Sequence, residues 1–148
     1  MSHSYAQNIV HIAFGTEDRA AAIPVEFQAD LWAYLAGICH KHEIFVHILA
    51  GMTDHVHLLI QIPASISLAR SINTIKSNSS KWAHEKGRKL AWQTGYAAFS
   101  VSASVVPAVV PYIENQAAHH RKMSFADGFV ALLKKQAWHT IRTLCWGR

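Results

Sequence analysis

Strand patterns recur in three places along the chain: polar and apolar positions alternate with a period of two in the first and third, the signature of half-buried strands, and the second is a β-branched, aromatic run. Gln7 to Phe14 is the first, with Val10, Ile12 and Phe14 on the core face and His11 on the opposite one. Glu43 to Ala50 is the second. The third runs from Asp54-His55-Val56-His57-Leu58-Leu59-Ile60 to a stop at Pro63. Gly51-Met52-Thr53-Asp54 is short enough to join the second and third as an antiparallel hairpin. Tyr96 to Ser102 reads as a fourth strand.

Helical periodicity separates the strands. Pro24 suits the first turn of a helix reaching about His42, in which Phe27, Leu31, Tyr34, Leu35 and Ile38 form the apolar stripe. Ser67 is placed to cap a second helix with Leu68, Ile72, Ile75, Ser79 and Trp82 on its inner face, ending near Gly87. Arg70, Ser77 and Lys81 lie on a separate stripe, open equally to solvent or to nucleic-acid phosphates. Ser104 reads as the cap of a third helix to about His120. A last helix, about Ser124 to Trp138, would belong to a C-terminal helical tail over 124–148. The order strand, helix, strand, strand, helix, strand, helix implies an α+β fold in a single domain over 1–148. An antiparallel sheet would carry helices on one face, leave its other face open, and be followed by the C-terminal helices.

Composition narrows the partners. Fourteen Lys and Arg against nine Asp and Glu leave a net charge of +5 with neutral histidines, which favours a polyanion. No apolar run approaches the roughly 20 residues that span a bilayer, so no membrane partner is expected. The N-terminus lacks the pattern of a secretion signal and the two cysteines have no framework spacing, so a reducing cytoplasm is the expected compartment.

Eleven histidines are many for 148 residues. Most, such as His3, His40, His42, His84 and His139, read as surface or helix-end residues. His55 and His57 differ, because alternation points both imidazoles to one face of a strand whose other face is Val56, Leu58, Ile60 and Ile62. Such a pair can converge on one cation or phosphate, or be simply a polar strand face; spacing leaves both open. Tyr112 and Gln116 lie one helical turn apart, with His119 and His120 about a turn further on. A cation held by His55, His57 and the Gln116 carbonyl oxygen would keep open positions for a phosphate oxygen and water, beside Tyr112. A histidine-based nucleotide hydrolase fits less well, since Leu59 stands where a third alternating histidine is wanted.

Four ordered blocks go further than any pair of residues. They are Gly51-Met52-Thr53-Asp54-His55-Val56-His57-Leu58-Leu59; Ile75-Lys76-Ser77-Asn78-Ser79-Ser80-Lys81-Trp82; Trp92-Gln93-Thr94-Gly95-Tyr96-Ala97-Ala98-Phe99-Ser100-Val101-Ser102; and Tyr112-Ile113-Glu114-Asn115-Gln116 followed by His119-His120. Together, from His11 to Arg121, they resemble the small single-tyrosine transposases of the HUH nuclease superfamily, to which the REP-associated tyrosine transposases are related. The resemblance implies a ferredoxin- or RRM-like sheet, with His55, His57 and Gln116 as ligands of Mg²⁺ or Mn²⁺ and Tyr112 as nucleophile. It also implies cleavage and rejoining of single-stranded DNA through a 5'-phosphotyrosine, recognition of DNA hairpins at element ends, and a homodimer sharing active sites between subunits. Arg70, Lys76, Lys81, Arg88 and Lys89 are candidate backbone contacts, Trp92 and Tyr96 candidate stacking platforms, and His119 and His120 candidate auxiliary residues. Trp82 and Phe99 read as core.

Two features depart from the family pattern. Pro111 sits directly before Tyr112, where it removes a helical hydrogen bond and should kink the segment. The tail after Lys135 lacks the acidic, Tyr-containing ending of relatives. Both leave room for a decayed or domesticated relative that binds DNA or RNA hairpins without cutting them.

Overall fold

In a computed structural model, the described residues are 5–115. They form β1 (Asn8–Gly15), α1 (Val25–Lys41), β2 (Phe45–Gly51), β3 (His55–Ile62), α2 (Leu68–Glu85), β4 (Ala97–Ser100) and α3 (Val106–Glu114). The four strands make one antiparallel sheet in the order β2-β3-β1-β4. With α1 and α2 between strands, this is the split βαβ arrangement expected of a ferredoxin-like α+β fold. The helix expected over Ser124 to Trp138, and with it the C-terminal tail over 124–148, lies outside the described residues, as do Gln116, His119 and His120.

Strand parity decides the two faces. Val10, Ile12 and Phe14 of β1 and Val56, Leu58, Ile60 and Ile62 of β3 join Phe27, Leu31, Leu35 and Ile38 of α1 and Ile72 and Ile75 of α2 in the main core. Ser67 caps α2 as its position implies, accepting from Arg70 N at 3.1 Å. Trp82 packs on this core, stacked with the rings of Phe27 and Tyr34. Phe99 is half-buried on the other face, opposite His11 in the register.

The second face is not left open. Val109 and Ile113 of α3 cluster there with Ile9, Leu59 and Val101, so a third helix lies across the sheet on the side away from α1 and α2. Hydrophobic burial is the reason: Ile9 and Leu59 would otherwise face water. The start of α3 also differs from the expected one. Ser104 sits inside a 3₁₀ turn, Ala103–Val105, and the helix begins only at Val106. Pro107 accounts for this, because a fixed φ and a missing N–H are tolerated in the first helical turn. α3 then continues as one helix through Pro111, whose carbonyl accepts from Asn115 N at 3.0 Å. The expected kink is therefore not a break in the helix.

The hairpin before the histidines is tight. Met52 N donates to His55 O at 3.0 Å, and a Cβ placed on Gly51 would overlap that same carbonyl oxygen and approach Val56 Cα at 2.9 Å. Neither neighbour is the end of a flexible side chain. Gly51→Ala is therefore expected to destabilise the protein by about 3 kcal/mol, read as a lower urea midpoint at unchanged slope.

Candidate active site

His55 and His57 lie on the α3 face of β3, 1 % and 0 % exposed. The strand register explains how two imidazoles fit there. Gly15 is the residue opposite His55, and Ala13 and Ala50 flank His57 from β1 and β2. Small neighbours leave the space above the sheet to the rings. Their centroids are 5.3 Å apart and their planes nearly perpendicular.

Each ring is anchored through one nitrogen. His55 Nδ1 donates to Asp54 Oδ1 at 2.7 Å, and Asp54 Oδ2 in turn accepts from Arg19 Nη2 at 3.2 Å. Asp18 and Arg19 both have positive φ, 56° and 55°, so the chain enters a sparsely populated conformation where it brings that guanidinium to Asp54. Partial burial would raise the Asp54 pKa, but the His55 hydrogen bond and charge, together with Arg19, outweigh it and hold the carboxyl below its ordinary value. The carboxylate therefore persists at neutral pH as an acceptor. His57 is anchored differently, its Nδ1 lying 3.0 Å from His11 Nε2.

Sequence reasoning assigned no role to His11 or Arg19. For His11 a signal existed: its parity put it on the histidine face, and antiparallel pairing of β1 with β3 brings it diagonal to His57, across from Leu59. Burial lowers the His11 pKa from 6.5 to about 4. Between these values the unfolded chain binds a proton that the folded chain refuses, so stability is complete above about pH 6.5 and declines as pH falls toward 4. A shift of this size corresponds to ~3 kcal/mol at most. Urea unfolding of the metal-free protein at about pH 7 and about pH 4.5 should show this loss, and His11→Leu should flatten it.

Tyr112 reaches the same place from α3. Its ring stands edge-on to His57 and His11, with centroid distances of 6.1 and 6.5 Å. The structure thus brings together three of the sequence-derived candidates, His55, His57 and Tyr112, within one chain; Gln116 lies outside the described residues. No group of three or more His, Cys, Asp and Glu among the described residues is arranged to hold a metal ion. The donor chemistry of the pair nevertheless suits one. With His55 Nδ1–H held by a carboxylate, its Nε2 carries a lone pair, the arrangement found behind metal-ligating histidines.

The candidate nucleic-acid contacts are dispersed. Arg70, Lys81 and Lys89 are exposed, and Tyr96 is 38 % exposed. Arg88 lies over the Phe27 ring. The Lys76 ammonium donates to the carbonyls of Gln93 and Gly95 at 2.9 and 2.8 Å and sits over the Phe14 ring. Trp92 Nε1 donates to Ser79 Oγ at 2.9 Å while its ring meets Phe14 edge-on. Lys76 and Trp92 thereby fasten the 92–95 loop to α2, and Gln93 ties it to β1, its Oε1 accepting from Gly15 N at 2.7 Å. No helix among the described residues is long and apolar enough to cross a membrane.

A four-stranded antiparallel sheet presenting a histidine pair to a tyrosine helix defines a class, and the family comparison agrees with it. The family model described as "Transposase IS200 like" matches residues 4–116, and the chain belongs to that family of transposases. Two solved structures share the fold. One, from Deinococcus radiodurans R1, is assigned provisionally as a transposase; it is 20 % identical, with a TM-score of 0.62 over 78 % of this chain and 95 % of its own. The other is a REP-associated tyrosine transposase bound to a REP hairpin, 14 % identical, with a TM-score of 0.62 over 81 % of this chain and 73 % of its own. No curated protein matches the chain.

Proposed function

We propose that this transposase cleaves and rejoins single-stranded DNA, with Tyr112 as nucleophile and His55, His57 and Gln116 as ligands of a divalent cation, Mg²⁺ or Mn²⁺. The observation that carries the reading is the placement of the Tyr112 ring beside His57, in a chain whose match to the family model takes in Tyr112 and runs to residue 116. Tyr112 gives up its phenolic proton as its oxygen attacks the scissile phosphorus, the P–O3' bond breaks, and the enzyme keeps a 5'-phosphotyrosine while the leaving 3'-oxygen takes up a proton in return. Attack by another 3'-hydroxyl reverses the exchange with no external energy source, since one phosphodiester replaces another. A bound cation would supply Lewis-acid stabilisation of the charge that builds on the phosphate. His55 and His57 hold their rings ready through Asp54 and His11, and α3 holds the tyrosine over them.

The recognised partner in this reading is a DNA hairpin near an element end, which the hairpin-bound REP-associated relative supports by analogy of fold. Arg70, Lys81 and Lys89 would meet backbone phosphates and Tyr96 would stack on an unpaired base, while Lys76, Arg88 and Trp92 would add contacts without leaving their present partners. His119 and His120 would be auxiliary. The protein would act as a homodimer in the bacterial cytoplasm or nucleoid. Within one chain Tyr112 already faces its own histidines, so sharing active sites between subunits would require α3 to be exchanged on its link to β4.

The test is a labelled single-stranded hairpin substrate incubated with the protein and Mg²⁺ or Mn²⁺. The expected product is a protein–DNA adduct that survives denaturing electrophoresis, together with a free 3'-hydroxyl strand. Pro111, directly before Tyr112 inside α3, favours a second reading, a hairpin-binding relative that no longer cuts. Tight hairpin binding with no adduct under either metal would select it.

A further inference from the structure

Two imidazoles can serve one cation only if both present an unprotonated nitrogen to it. For a neutral His55 ring the carboxylate of Asp54 decides which nitrogen this is. An ionised carboxylate has no proton to give, so His55 must carry its proton on Nδ1, and Nε2 is left as the basic atom. His57 has no carboxylate at its Nδ1. In its place stands His11 Nε2, at 3.0 Å.

A histidine–histidine hydrogen bond has two assignments. In one, His11 Nε2–H donates, His57 Nδ1 accepts, and the His57 proton must then sit on Nε2, where it blocks a ligand. In the other, His57 Nδ1–H donates to His11 Nε2, and His57 Nε2 is basic like that of His55. Only the second makes the pair a matched set of donors. The rest of the site is compatible with it: His11 is fully buried, its ring is tilted 35° to that of His57 with centroids 5.2 Å apart, and Tyr112 stands edge-on to both.

We propose that His11 is a positioning residue: its Nε2 accepts the Nδ1–H of His57 and so holds His57 in the tautomer whose Nε2 can bind a divalent cation. The role rests on the metal reading of the His55 and His57 pair. It makes His11 the counterpart of Asp54. One histidine is set by a carboxylate and the other by an imidazole, and β1 enters the active site through a residue that touches neither cation nor DNA. A neutral amide oxygen in the same place would do the same work, whereas an apolar side chain of similar bulk would not.

The experiment separates this role from packing. Long-range ¹⁵N–¹H NMR on the metal-free protein at about pH 8 distinguishes a protonated from an unprotonated ring nitrogen, with His57→Ala providing the assignment. The wild-type protein should show His57 with a protonated Nδ1 and an unprotonated Nε2. His11→Leu should move the proton to Nε2 and weaken Mn²⁺ binding, measured by calorimetry, on the order of 10- to 100-fold. His11→Gln, with an acceptor oxygen, should restore both. A wild-type His57 protonated on Nε2 would overturn the proposal without any variant having to fold. So would a folded His11→Leu protein with wild-type tautomer and affinity. If the wild-type tautomer is as stated but Mn²⁺ does not bind, the hydrogen-bond assignment stands and the metal reading of the pair falls.

Discussion

Tyr112→Phe should form no covalent adduct with single-stranded DNA, and cleavage should fall by more than about 10⁴-fold, as for other enzymes that lose an irreplaceable nucleophile. The reason is local. Phenylalanine carries no oxygen to attack phosphorus, and the imidazoles of His11 and His57 beside the ring supply none. The substitution removes one oxygen from a half-buried ring whose edge-on packing against His57 does not require it. The fold should therefore survive, with an unchanged far-UV circular dichroism spectrum, and hairpin affinity should stay within about threefold, since one lost hydroxyl contact is worth little in binding. Simultaneous loss of binding would mean that the variant reports on DNA recognition and not on chemistry.

His57→Ala is expected to be nearly as severe but for a different reason. Losing one of two imidazole ligands should abolish measurable Mn²⁺ binding, and removal of several kcal/mol of charge stabilisation lowers cleavage by about 10²- to 10⁴-fold. It should also cost stability. His57 is wholly buried, and without it His11 Nε2 loses its partner, a penalty of about 1–3 kcal/mol. The two losses are separable: urea unfolding of the metal-free protein reads the second, calorimetry with Mn²⁺ the first. Cleavage at the wild-type rate in a folded His57→Ala protein would remove the pair from the mechanism.

Much of this site was legible along the chain because a strand is a two-sided object. The parity that buries Val56, Leu58, Ile60 and Ile62 under α1 and α2 necessarily turns His55 and His57 the other way, and the hairpin at Gly51 to Asp54 fixed the direction of the pairing. Parity also put His11 on that face. What it could not supply was adjacency, since β1 neighbours β3 only through a crossover over α1, and the diagonal His11–His57 contact depends on that order. The covering of the second face by α3 was hidden for a related reason. Val109 and Ile113 show a helix with an apolar side, but nothing local names the surface that side will meet.

Arg19 was illegible for a conformational reason. Its path to Asp54 runs through two consecutive residues at positive φ, which neither composition nor periodicity signals. Lys76 shows the converse. It stands with Arg70, Lys81, Arg88 and Lys89 as a candidate backbone contact, yet its ammonium lies among the carbonyls of the 93–95 loop, where partial burial lowers its pKa. A charged residue on a helix face can serve the fold as readily as a ligand.

The central claim is that Tyr112 becomes joined to DNA. Its most direct measurement is tandem mass spectrometry of the protein–DNA adduct after proteolysis and nuclease trimming. The account predicts a nucleotide linked by its 5'-phosphate to Tyr112, in a peptide spanning α3. A nucleotide on any other residue, or cleaved DNA bearing a free 5'-phosphate with no adduct at all, would contradict it.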